Sequence, residues 1–130
     1  MTGLTFPPAW FAAGVVTAES AADFARLAAA DPARPPRHWR WLAFRDYVEE
    51  SGPLPADVCR AAFRLGESDP DANLGTAIMC SVLYQRACPA EVIAEAAASD
   101  RPAVRRTATR RSEPEARRSE PEARRSEPEA

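Results

Sequence analysis

The residues of this chain best suited to hold a metal are its three cysteines and its only histidine. Cys59, Cys80, Cys88 and His38 could in principle form a Cys3His zinc site. The cysteines stand 21 and then 8 residues apart, a spacing that belongs to no metal motif. Each lies in an apolar helical setting, where a thiol packs as a small hydrophobe. Three is an odd count and no pair is spaced CxxC, so a disulfide framework is not expected and a reducing, cytoplasmic setting is. The stretch DPDANLG (Asp69 to Gly75) has the flavour of a calcium loop. Its glycine falls one place late, Pro70 intrudes, and Cys80 occupies the place of the bidentate glutamate. A helix start explains it better, with Asp69 as the cap, Pro70 first in the helix and Asp71 against the positive helix end.

Catalytic patterns are missing from the sequence. There is no GxSxG, no glycine-rich phosphate loop and no HExxH. Glu49 and Glu50 are adjacent, so on a helix they diverge and cannot share a substrate atom. Cys80-Ser81 falls in mid-helix with no nearby base. The expectation is a protein that is no enzyme and carries no cofactor.

One segment has the composition of a nucleic-acid contact. RHWRWLAFR (Arg37 to Arg45) interleaves arginines with Trp39, Trp41 and Phe44, the mixture that stacks on bases and neutralises phosphates. Arg37, Trp39, Arg40 and Arg45 are the candidate contacts. The competing interpretation is an amphipathic helix. In it Trp41, Phe44 and Val48 face the core, arginine stems flank them, and Tyr47 packs beside. Asp46, Glu49 and Glu50 follow at once, so the basic run is short.

The charge distribution is uneven. Residues 1–100 hold thirteen acids and eight arginines, a net −5, while residues 101–130 hold nine arginines and six glutamates, a net +3. All seventeen basic residues are arginine, which reads as codon bias in a GC-rich, bacterial genome. The C-terminal stretch is too well compensated for a free-standing nucleic-acid arm. MTGLTFPPAWFAAGVVTA has a short apolar run but no basic residue before it, so a secretion signal is not expected. No apolar run reaches membrane-spanning length, and no membrane partner is expected.

Alanine is abundant, glycine and β-branched residues are sparse, and no segment alternates as a strand would, so the fold class is all-α. Prolines punctuate the helix starts. Pro7 and Pro8 open a short helix ending near Gly14. Thr17 and Ser20 cap SAADFARLAAA, with Phe24, Leu27 and Ala28 on one stripe. Pro35 and Pro36 precede a helix that stops at Ser51-Gly52. Pro55 opens ADVCRAAFRL, with Val58, Ala62 and Leu65 on one face and Gly66 ending it. DANLGTAIMCSVLYQRA follows, apolar nearly all round, the mark of a central buried helix. Pro89 opens AEVIAEAAA, and Asp100 with Pro102 opens a last AVRRTA.

A repeat runs through the second half. Pro55-Ala56-Asp57-Val58 matches Pro89-Ala90-Glu91-Val92, and SDPDANLGTA (from Ser68) matches SDRPAVRRTA (from Ser99). The offsets are 34 and 31 residues, so each unit is a helix, a Ser-Asp turn and a second helix. Such periods mark stacked helical repeats, because one helix pair cannot cover its own apolar face. CPAEVIAEAAASDRPAVRRTATRR (Cys88 to Arg111) resembles one unit of the leucine-rich repeat variant family and, more loosely, HEAT-type repeats. The resemblance rests on Pro89, Glu91, Val92, Ile93, Ala97, Asp100, Val104, Arg105, Arg106 and Ala108, and covers about one fifth of the chain. It implies a short right-handed α-solenoid in which α-helices alternate with tighter short helices. An irregular helical bundle is the alternative. Some members of that family carry an iron–sulfur cluster on an N-terminal cysteine-rich segment, and this chain has no cysteine before Cys59.

Three regions follow: residues 1–53 as an N-terminal helical cap, 54–109 as two repeat units, and 110–130 as a tail. The tail is RRSEPEA three times over. It offers no apolar residue but alanine, and a proline every seventh residue, so it is expected to be disordered. It is a slippage product, a repeated peptide that gains avidity for a multivalent partner, or a tag, since the terminal EPEA resembles a four-residue affinity tag. The expected function is a non-enzymatic protein–protein interaction module. Its expected contact surface is Arg105 and Arg106 on the last helix, followed by Arg110 and Arg111 at the start of the tail. The alternative classes are a nucleic-acid module that uses the RHWRW patch with the tail arginines, and a metal or iron–sulfur protein that uses the cysteines.

Overall fold

The computed structural model describes residues 4–112; the expectations for the tail beyond Ser112 lie outside them. Among the described residues the chain is all-helical. Seven helices form: α1 (Pro8–Ala12), α2 (Ala18–Ala30), α3 (Pro36–Ser51), α4 (Ala56–Ser68), α5 (Ala72–Leu83), α6 (Ala90–Ala97) and α7 (Pro102–Arg111). No described helix is long and apolar enough to cross a membrane.

The prolines act where the sequence places them. Pro8, Pro36 and Pro102 occupy first helical positions, where a missing N–H costs nothing. α2 begins with a reciprocal cap, in which Thr17 Oγ1 accepts from the Ser20 backbone and Ser20 Oγ accepts from the Thr17 backbone. α3 ends at Gly52, whose φ of +71° an L side chain rarely adopts.

α4 departs from expectation. Gly66 does not end it; the helix runs on to Ser68. Gly66 is instead where α4 crosses α5. A Cβ on Gly66 would lie 2.7 Å from the Gly75 carbonyl oxygen and 2.9 Å from Met79 Cγ. Gly75 meets the Gly66 backbone reciprocally. Two glycines face to face let the helix backbones touch.

α5 is central, as its apolar circumference predicts. It packs on α4, α7 and α3 and buries Leu74, Ile78, Met79, Val82 and Leu83. The core continues through Phe44, Leu54, Phe63, Val92 and Val104. α6 packs on α7 and α2 on α3. α2 buries no residue fully, and Leu27, expected on its inward stripe, is 51% exposed. Phe24 keeps the stripe's contact, edge-on to Phe6.

The junction between α4 and α5 also differs from expectation. Asp71, not Asp69, caps α5, accepting from the Leu74 backbone at 3.0 Å. Asp69 has turned inward. Its side chain is fully buried and accepts from Trp10 Nε1 (3.2 Å), Arg40 Nη2 (3.2 Å) and the Asp71 backbone (2.9 Å). One carboxylate thus ties α1 and α3 to the turn between α4 and α5.

Candidate interaction surface

The helices α3, α5 and α7 run side by side in one direction. At the start of α3, Arg37 pairs with Asp71, the cap of α5, at 3.5 Å. Farther along, Arg45, Val48 and Glu49 lie across from Ser81. Between α5 and α7 the contacts step in parallel. Arg101 Nη1 donates to Thr76 Oγ1 (3.2 Å), the Thr107 hydroxyl lies 3.4 Å from Cys80 Sγ, and Arg110 Nη1 donates to the Tyr84 hydroxyl oxygen (3.4 Å). On the other side of the molecule α4 and α6 also run parallel, joined by Arg60–Glu91 (2.9 Å) and Arg64–Glu95. Each of those pairs spans 31 residues. The span is three residues short of the offset of 34 between the starts of α4 and α6, so the paired residues are not equivalent positions of the repeat.

Two hollows open between α3 and α5 and share Trp41. The first, about 410 Å³, is lined by Pro35, Arg37, His38, Trp41, Asn73, Leu74 and Ala77. The second, about 240 Å³, is lined by Trp41, Phe44, Arg45, Val48, Glu49 and Ser81. Together they make a groove with an apolar floor, arginines at both ends, and Trp41 half-buried in the middle, stacked on Phe44 at 6.0 Å.

The structure sorts the RHWRW residues in a way the sequence did not. Trp39 and Arg40 were candidates for a nucleic-acid patch, but both are buried. Arg40 is held by Asp69, and Trp39 lies edge-on to His38. The surface set is Arg37, Arg45 and Trp41, with His38 beside Arg34 at 3.4 Å. Arg45 pairs with Glu49 one turn on, at 3.5 Å. Trp41 packs against the core at half-burial beside Tyr47 and Val48, with Phe44 buried, as the amphipathic interpretation expects, and Trp39 is buried as well.

The α7 arginines divide as well. Arg111 donates to the carbonyls of Gln85 and Arg86, covering the end of α5, and so supports the fold. Arg105 donates to the Ser99 carbonyl at 2.9 Å. Arg110 leans toward Tyr84, which is 58% exposed. Arg106 is exposed, makes no ion pair among the described residues, and stands one turn before Arg110 on the same strip. α7 is α-helical through Arg111, so the first two residues assigned to the tail belong to it. α6 is α-helical too; among the described residues the two helix types that the repeat resemblance implies do not alternate.

Of the three cysteines only Cys80 lies in this row of helices. Cys59 and Cys88 are buried, and burial raises both thiols, Cys88 to about 11, so both stay protonated at neutral pH. Cys80 is half-buried beside Thr107, and His38 is on the outside. Among the described residues no three His, Cys, Asp or Glu side chains converge as metal ligands would. No protein-family model matches this sequence, and comparison with the curated proteins and with the solved structures finds no similar chain.

Proposed function

We propose that this chain is a non-enzymatic protein-binding module. In this reading it is a short stack of helix hairpins that presents the row α3, α5 and α7 to a partner. The observation that carries the reading is the Trp41 groove. An apolar channel between two parallel helices, closed by arginines, is the shape that accepts an amphipathic helix from another protein. A half-buried tryptophan at its centre is the residue type that dominates binding energy at such surfaces. Arg106 and Arg110 extend the surface across α7, with Arg105 at its edge.

The stack reading is supported by parallel neighbours on both sides of α5 and by the ion pairs that hold α4 and α6 side by side. It makes α2 and α3 the capping hairpin, with α4–α5 and α6–α7 the two repeat units.

The test is a paired pull-down from native lysate with two full-length baits, wild type and Trp41→Glu, after circular dichroism establishes equal helix content. The expected result is a protein retained by the first bait and lost from the second. Retention by both, or by neither, overturns the assignment of this groove. The nucleic-acid alternative keeps Arg37, Arg45 and Trp41 at the surface of its patch, together with the tail arginines beyond the described residues. It requires retention on a DNA or RNA matrix that falls steeply with salt.

A further inference from the structure

On the opposite side of α3 lies another hollow, about 470 Å³, between α3 and α2. Val16, Phe24 and Tyr47 form apolar wall; Asp23, Asp46 and Glu50 form rim, and no cation lines it. Asp23 is engaged by Arg26 one turn along α2. Asp46 and Glu50 stand one turn apart on α3, a spacing at which like charges repel, and no described arginine pairs with either. In the groove on the α5 side of the same helix Arg37 and Arg45 are each paired with a carboxylate, Asp71 and Glu49. α3 therefore separates a charge-paired groove from an acidic hollow. An apolar surface edged by uncompensated carboxylates is costly to leave open, and it is complementary to one kind of ligand.

We infer that the α2–α3 hollow docks a cationic peptide segment. The segment sets an apolar side chain against Val16, Phe24 and Tyr47 while its arginines or lysines meet Asp46 and Glu50. This site is separate from the Trp41 groove and stands or falls independently of it. The chain's own Arg117-Arg118 and Arg124-Arg125 satisfy the charge half of that description. Their neighbours are serine, glutamate, proline and alanine, which leave the apolar half unmet, so the occupant is a segment of another protein.

The probe is a fluorescein-labelled peptide, Arg-Leu-Arg-Arg-Leu-Leu-Arg, titrated with the full-length chain and followed by anisotropy. Saturable binding is expected. D46N combined with E50Q weakens it roughly tenfold, as does raising the salt, because both carboxylates are at the rim. Replacing the leucines of the peptide by serine abolishes it. The same charge change on α4, D57N with E67Q, leaves the affinity unchanged. Equal weakening by both double variants would reduce the effect to net charge and overturn the site. Undiminished binding of the serine peptide, or no saturable binding, would overturn it as well. All four substituted side chains are solvent-accessible, and circular dichroism verifies that each variant keeps its helices.

Discussion

The two halves of this molecule are held together by different means. From α4 to α7 the helices interlock. Glycines let α4 and α5 touch, α5 is buried along most of its length, and arginines bridge α4 to α6 and α5 to α7. From α1 to α3 the packing is thinner. α2 contributes no fully buried side chain, Leu27 and Phe11 are exposed, and an acidic hollow lies between α2 and α3. The N-terminal half is secured by a few strong points, above all the Trp10–Asp69–Arg40 cluster. Dense packing resists change everywhere at once, whereas a half held by a cluster fails when the cluster does.

Asp69→Ala is the sharpest way to break that contrast. It leaves Arg40 buried without its counter-charge and Trp10 without its acceptor. The expected loss is about 3–5 kcal/mol, read from urea unfolding. Hydrogen exchange should show α1 to α3 opening before α5. Uniform loss of protection would mean that the halves are not separately held.

Gly66→Ala strikes the dense half. The added methyl meets the Gly75 carbonyl, Met79 and Ile78; the Met79 side chain can swing aside, but the Gly75 carbonyl is backbone and retreats only by parting α4 from α5. The expected cost is about 1–3 kcal/mol. It exceeds the helix-propensity gain of about 1 kcal/mol that alanine brings. A neutral or stabilising outcome would show that the crossing has slack.

Acid should produce the smallest effect. Arg60 holds the Glu91 carboxyl below its ordinary value, and Arg64 does the same for Glu95. A depressed carboxylate contributes stability that is fully present above about pH 4.5 and is lost as the pH falls through the lower folded value. The α6–α7 pair should therefore loosen slightly below that pH in wild type and not in E91Q with E95Q. Both pairs are exposed, so added salt should shrink the difference.

Much of the architecture is legible in the residues. Proline at helix starts, the Thr17 cap and Gly52 at the end of α3 act within a turn of where they stand, so local chemistry is enough to find them. The centrality of α5 follows from its own composition, since a helix without a polar face must be covered on every side. Nothing local announces the ion pairs between α4 and α6, because each joins residues 31 apart that are brought together only by packing.

The candidate surface was only half legible. Periodicity tells which residues share a face of α3, but not which neighbour that face meets. Trp39 and Trp41 are equivalent by type, yet Trp39 is buried and Trp41 stays half-buried over the α3–α5 hollows. Arg40 and Arg45 part likewise: one meets a buried aspartate, the other water and Glu49. The double role of Asp69-Pro70-Asp71 carried a faint local signal. An aspartate two residues before another backbone N–H can form a turn of its own and leave the capping to its successor.

Sequence by itself therefore determined the helices, their order, the all-α class and the central position of α5, because these depend on interactions within a few residues. Only the tertiary structure decided that Gly66 is a crossing rather than an end, that Asp69 is a buried tie between the two halves, and that α3 divides a charge-paired groove from an acidic one. Each of those rests on a contact between residues far apart in the chain, whose geometry is set by how whole helices pack.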